Sequence, residues 1–206
     1  MKIEPEIIGV RITFTEEVLG TSPNNPNIHD EFIASKAPDA VSREEEIAAI
    51  GVEEAIEKSM TVFPRMKDDS GNEVPFLWNY QIKGFFKDTC SALRKIKGSE
   101  SSKIKAFKKE IDGLIFIAER KIPFQNPDGL AVGDCQRSLR AQTAQGERTS
   151  LACSETVPAG SFAEFHIEVF KPELCEAVRE WLDFGTRRGL CQWRNSGKGT
   201  FVWEEI

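Results

Sequence analysis

The order in which strand-like and helix-like hydrophobic periods follow one another leaves this chain few folds to choose from. Ile7, Ile8, Val10, Ile12 and Phe14 form a β-branched, partly alternating run that predicts a first strand. From Asn79 to Ile96 the period changes. Ile82, Phe85, Phe86, Thr89, Leu93 and Ile96 recur at steps of three and four, the spacing of a helix with one apolar face. Leu114 to Ala118 reads as a buried strand, and Pro158, Ala159 and Gly160 turn into another amphipathic strand. That strand carries Phe162, Phe165, Ile167 and Val169, with one irregular step. Pro172 opens a second helix through Leu174, Ala177, Val178, Trp181 and Leu182, proline sitting in the first turn where its missing N–H costs nothing. Thr200 to Trp203 closes the series as a strand. Strand, helix, strand, strand, helix, strand is an α+β plan: a βαββαβ core, ferredoxin-like or RRM-like, with insertions.

The insertions have their own signatures. Leu19 to Asn27 is turn chemistry. An acidic helical stretch follows over residues 42–59, where Ser42 three residues before Glu45 fits a capping box. Ile47, Ile50 and Ile56 give it a packing face, which Gly51 interrupts. Thr61–Pro64 and Val74–Leu77 flank Asp68–Asn72 as the arms of a predicted hairpin. Ser99 to Ile111 is polar and lysine-rich, a loop with a short helix, and 123–134 is a Pro/Gly/Asp loop. Ser138–Thr143 and Arg148–Ala152 read as two strands or an extended arm around Gln145 and Gly146. The organisation expected is one domain over 1–206, with an acidic insertion at 20–78 and an extended basic arm at 123–157.

With 206 residues the chain is long enough to bury a core without disulfide or metal staples. No run approaches the apolar length of a transmembrane helix, and Met1–Glu6 lacks the start of a secretory signal, so no membrane association is expected. Five scattered cysteines without a CxxC pair suit a reduced, cytoplasmic setting. With only His29 and His166 available, neither a metal nor another cofactor is expected. The net charge of −6 argues, at face value, against a basic nucleic-acid binder. The charge is sorted, however: residues 1–80 carry −9, residues 81–121 carry +6 and residues 122–206 carry −3. A local anion-binding surface is compatible with that distribution.

The most specific local feature is the loop from Gly189 to Gly199, which falls between the last helix and the last strand. Glycines permit positive φ and close backbone approach, Arg194 and Lys198 add charge, and Trp193 offers a stacking face or a core anchor. Gly189, Leu190, Gln192 to Ser196, Gly197 and Gly199 together resemble the C-terminal glycine-rich motif of the RAMP superfamily, the RRM-like proteins of CRISPR systems. Cys191 stands where that motif has its middle glycine. Tyr80 to Lys87 resembles the lysine-glycine opening of the first helix in Cas7-type members, and Val157 to Ser161 their entry to the third strand. The whole sequence also resembles proteins of Firmicute phages and prophages. The resemblance implies RNA or single-stranded DNA, or a small nucleotide, as ligand. Its contacts would come from Lys83, Lys87 and Arg94 on the helix, from Arg137, Arg140 and Arg148 on the arm, and from Gly189, Trp193, Arg194, Asn195, Ser196, Gly197, Lys198 and Gly199 in the loop. Fold analogy adds head-to-tail homo-oligomers or filaments.

None of the GxSxG, HExxH, Walker A or dinucleotide fingerprints is present. His166 lies between Phe165 and Ile167, the setting of a structural histidine, and Glu44–Glu46 opens a helix where negative charge suits the dipole. The primary reading is a non-catalytic RAMP-like nucleic-acid-binding protein, phage-encoded. Two alternatives stand beside it. One is a counter-defence protein that inhibits a CRISPR-type effector of the host or sequesters a cyclic nucleotide. The other is a metal-independent endoribonuclease using His29 or His166.

Overall fold

The computed structural model describes residues 4–23, 60–68, 70–143 and 146–206, with backbone alone for Pro23, 139–143 and 146–151. The helix expected over 42–59 and His29 lie outside the described residues. The chain forms two compact units, one of residues 1–18, 64–131 and 157–206, the other of 19–63 and 132–156. In chain order the elements are β1 (Glu6–Phe14), β2 (Val18–Leu19), β3 (Ser22–Pro23), β4 (Thr61–Val62), β5 (Arg65–Lys67), β6 (Glu73–Trp78), α1 (Asn79–Leu93), α2 (Glu100–Lys103), α3 (Phe107–Leu114), β7 (Ile115–Ile117), β8 (Lys121–Pro123), β9 (Gly133–Thr143), β10 (Gly146–Val157), β11 (Phe162–Val169), α4 (Cys175–Asp183) and β12 (Phe201–Glu205). Among the described residues no helix is long and apolar enough to cross a membrane.

The first unit is built on a four-stranded sheet in the order β12-β1-β11-β7, every neighbouring pair antiparallel. Helix α1 precedes β7 and α4 connects β11 to β12. This is the expected α+β ferredoxin-like βαββαβ core. Alternation decides which face is buried: Ile8, Val10, Ile12 and Phe14 of β1, with Ala163, Phe165, Ile167 and Val169 of β11, lie within a few per cent of complete burial. The irregular step expected in β11 is absent. The period is strictly two, so Ala163 takes the buried place and Phe162 turns to the other face, where Arg11 lies 5.1 Å over its ring.

Helix α1 buries Ile82, Phe85, Phe86, Thr89, Cys90 and Leu93. Phe85 meets Phe201 of β12 at 5.2 Å between ring centroids, and Phe86 meets Trp181 of α4 at 5.4 Å. Burying Trp181 completely would orphan its indole N–H, which instead donates to Ser101 Oγ at 2.8 Å. Ser101 Oγ and the Glu100 and Ser101 backbone N–H groups all donate to the Glu180 carboxylate, so α2 is fastened to α4 through its own first turn.

Several boundaries differ from the sequence expectation. Helix α1 stops at Leu93 rather than Ile96, because the Ser99 hydroxyl takes the Leu93 and Ile96 carbonyls and Gly98 turns the chain at φ 91°. The stretch 99–111 holds two short helices, and Leu114 ends the second rather than starting a strand. The hairpin pairs Arg65–Lys67, not Thr61–Pro64, with β6, in register Met66↔Val74. Its turn is held by Asp68, whose carboxylate accepts from the Ser70 and Asn72 backbone N–H groups and is thereby pulled to a lower pKa. Strand β8, where no strand was expected, ends at Pro123 where the expected loop begins and pairs antiparallel with β6.

In the second unit β9 and β10 form one long antiparallel hairpin, from Gly146↔Thr143 to Thr156↔Gly133. Strand β4 runs parallel to β10 at Ser154↔Thr61, and β3 pairs with β4. The Thr61 and Ser154 hydroxyls meet at 2.8 Å, and the Phe63 N–H donates to the buried Glu155 carboxylate at 2.7 Å.

Candidate functional site

The glycine loop between α4 and β12 is closed at its neck. Leu190 N–H donates to Gly199 O at 2.9 Å, and Gly199 N–H donates to Glu17 O at 2.9 Å. A Cβ on Gly189 would lie 2.1 Å from Lys198 O, and one on Gly199 would lie 2.3 Å from Leu190 O. These two glycines serve the approach of the loop's own two limbs. At the tip Arg194–Ser196 form a single 3₁₀ turn, closed by Ser196 N–H donating to Trp193 O at 2.9 Å. Cys191 (φ 65°) and Trp193 (φ 58°) are left-handed, a backbone state costing about 1–2 kcal/mol for a residue with a Cβ. Cys191 thus holds a glycine-type conformation although it carries a side chain.

Helix α1 holds this loop through Asp88. The Asp88 carboxylate pairs with Arg188 Nε, accepts from Arg188 Nη2 at 3.1 Å and lies 3.3 Å from Arg194 Nη1. Arg188 Nη1 donates to Asn195 Oδ1 at 2.9 Å, joining the base of the loop to its tip. The hydrogen bond to Asp88 raises Arg188 above the usual arginine value. Near the start of α1, Gln81 Nε2 lies 3.9 Å from Cys191 Sγ. Burial pushes the Cys191 thiol up to about 12, so it is a packing group and not a thiolate. Lys198 pairs with Glu17 at 2.8 Å and Glu16 at 3.5 Å, and these bonds, Glu17 first, raise its pKa.

The helical cations expected to contact ligand are also engaged within the protein. Lys83 Nζ donates to Asp112 O at 3.1 Å and lies 4.7 Å over the Phe116 ring, while Lys87 pairs with the Asp112 carboxylate at 2.5 Å. Burial lowers Lys83, with Asp112 opposing the shift and Lys87 adding to it. Arg94 lies 5.1 Å over Phe107. In the second unit Arg137 is buried; Arg140 pairs across the hairpin with Thr149, and Arg148 with Ala141. The structure therefore gathers Arg194 and Asn195 of the loop, with Arg188 at its base, around one acid, Asp88, which sequence reasoning passed over. Its signal was available: Asp88 is the only acid between Lys83 and Lys97.

Free positive charge lies elsewhere. Lys95, Lys97, Lys105, Lys108 and Lys109 are exposed, and none forms an ion pair among the described residues. They follow α1 and open α3, which packs against α1 in the helical layer. The opposite face of the sheet is acidic. Arg11 is clamped between Glu164 and Glu204, at 2.5 and 3.1 Å, and Glu168 lies on the same face. His166 there is exposed but tied, its Nδ1 2.6 Å from Glu119 Oε1 and its backbone N–H donating to Glu119 Oε2 at 2.8 Å. Burial raises Glu119, yet its bonds to His166 outweigh that and hold it below the usual glutamate value. Among the described residues no group of three His, Cys, Asp or Glu side chains is placed to hold a metal ion.

No protein-family model matches the chain, and no curated protein sequence is significantly similar to it. Among solved structures it is similar to a chain of the type III-B Cmr-beta complex bound to cognate target RNA. The TM-score is 0.54 and the identity 14%, over 98% of this chain and 59% of that one, so this chain spans little more than half of that length. A chain of a type IV-B CRISPR complex aligns at TM-score 0.48 and 10% identity, over 98% and 90% of the two chains. Cmr6 from Pyrococcus furiosus aligns at TM-score 0.47 and 11% identity, over 98% and 99%. The first of these likenesses shows a shared fold, here a ferredoxin-like α+β core with insertions.

Proposed function

We propose that this chain is a RAMP-type binding protein for single-stranded nucleic acid, RNA or DNA, and that it holds the polymer on its helical side. The observation that carries this reading is the division of charge between the two faces of the first unit. Five exposed lysines between Lys95 and Lys109 lack acidic partners among the described residues, while the open sheet face presents Glu164, Glu168 and Glu204. Phosphates are drawn to the former and repelled by the latter. An RRM-like sheet that reads bases would need aromatic side chains free of flanking carboxylates, whereas Phe162 lies under Arg11 and beside Glu164. The target RNA bound to the Cmr-beta complex supports the ligand class.

Within this reading the glycine loop is a positioning device. Asp88 fixes Arg188, Arg194 and Asn195 as one network, which presents Trp193 and Ser196 with little conformational entropy left to lose. The His166–Glu119 pair serves the sheet and supplies no chemistry to the ligand.

Fluorescence anisotropy with a labelled single-stranded RNA of about 15 nucleotides tests the assignment. Changing Lys105, Lys108 and Lys109 together to Glu weakens binding about ten-fold or more at moderate salt. Glu204→Gln on the sheet face leaves it within about two-fold. A triple variant that binds as the wild type does would refute the helical-side surface.

A further inference from the structure

A cluster of aromatic and cationic side chains at the start of α1 has no part in the site described above. Tyr80 is 62% exposed, and its ring stacks on Trp78 at 6.1 Å between centroids with an interplanar angle of 15°. Trp78 rests edge-on against the buried Phe76 at 4.8 Å. Arg120 lies 5.4 Å over the Trp78 ring, and Lys121 lies 5.4 Å over Phe76 and 6.0 Å over Trp78. Neither cation forms an ion pair among the described residues.

The backbone fixes this arrangement. Trp78 and Lys121 are direct cross-strand partners of β6 and β8, and Asn79 N–H donates to Arg120 O at 3.2 Å. Gln81 Oε1 accepts from Trp78 N–H at 2.7 Å, while its amide nitrogen reaches Cys191 of the glycine loop. One glutamine thus links the aromatic pair to the loop. A tyrosine kept largely in water, backed by a second ring and flanked by two cations, has the composition of a base-stacking surface: π-face for the base, positive charge for the adjoining phosphates.

We infer that Tyr80, backed by Trp78 and flanked by Arg120 and Lys121, is a stacking platform for an unpaired base of a single-stranded nucleic acid. The inference rests on the proposed function and adds to it a base-contacting position outside the loop. Every base has a π-face, so the platform selects single strands without reading sequence.

The test compares an oligouridylate of about 12 nucleotides with an oligomer of the same backbone lacking its bases, each titrated with wild type, Tyr80→Ala and Tyr80→Phe. The platform requires Tyr80→Ala to weaken binding of the oligouridylate about ten-fold, to leave the base-free oligomer unchanged, and Tyr80→Phe to bind both as wild type. Tyr80→Ala affecting both oligomers equally, or neither, overturns the platform and leaves the lysine surface standing. A wild type that binds neither oligomer overturns both. Circular dichroism of Tyr80→Ala confirms the fold in each case, and Arg120→Gln gives a second reading through the phosphate contacts.

Discussion

Two residues of the glycine loop, Gly199 and Cys191, have conformations that specify what may replace them. Gly199, at φ 68° with Leu190 O where a Cβ would go, tolerates no side chain. Gly199→Ala is expected to cost about 2 kcal/mol or more in a denaturant titration, since neither the backbone nor the neighbouring carbonyl can give way cheaply. Cys191 is the converse case. Its left-handed backbone is already strained, so Cys191→Gly stays within about 1 kcal/mol of the wild type, whereas the β-branched Cys191→Val is markedly worse. The thiols of Cys191 and Cys175 are both pushed up to about 12, burial leading in each case and Glu6 adding to it at Cys175. Because the neutral thiol is favoured, both thiolates are scarce at pH 8, and reactivity rises only as pH climbs towards 12. Native-state iodoacetamide labelling at pH 8, read by peptide mass spectrometry, is expected to leave both largely unmodified; rapid labelling of the half-buried Cys191 would contradict its raised pKa. The glycines of this loop were legible in the sequence from their spacing. The left-handed cysteine was not, because nothing in a residue's identity announces an unfavourable φ.

At the scale of elements, the sequence was readable wherever an element buries one face. The six elements of the βαββαβ core carry a period of two or of about 3.6, and all six are present near their expected places. Strand β8 escaped because three residues ending in a proline carry no period at all. The same limit applies to charge. Lys83 and Lys87 share a helix face as their spacing requires, but their partner Asp112 sits on α3, and no local pattern reveals a contact between helices. Two substitutions separate these kinds of contact. Trp181→Ala, in the middle of the core, is expected to cost about 3–5 kcal/mol in chemical denaturation. Asp112→Ala removes a half-exposed pair and should cost under about 1 kcal/mol. It also releases the Lys87 ammonium and so tightens low-salt RNA binding; weaker binding would show that Asp112 orders the surface rather than masking it.

At the scale of the molecule, the net charge of −6 is a poor guide to the ligand. Acidic and basic residues are sorted along the chain, and folding sorts them again. Asp112, Asp88, Glu16 and Glu17 neutralise Lys87, Arg194 and Lys198, three of the cations that motif and spacing single out, and the unmatched lysines fall in a segment that carries no motif. Pairing depends on long-range contacts, so the positive surface becomes visible only once the internal pairs are accounted for. Its most direct test is the dependence of single-stranded RNA affinity on salt. For an RNA of about 15 nucleotides, the lysine surface predicts that log K falls linearly with log salt concentration. It also predicts that changing Lys105, Lys108 and Lys109 together to Ala makes the slope shallower by about two, roughly 0.7 for each phosphate that is no longer neutralised. An affinity that ignores salt, or a slope unchanged by the three substitutions, would contradict it.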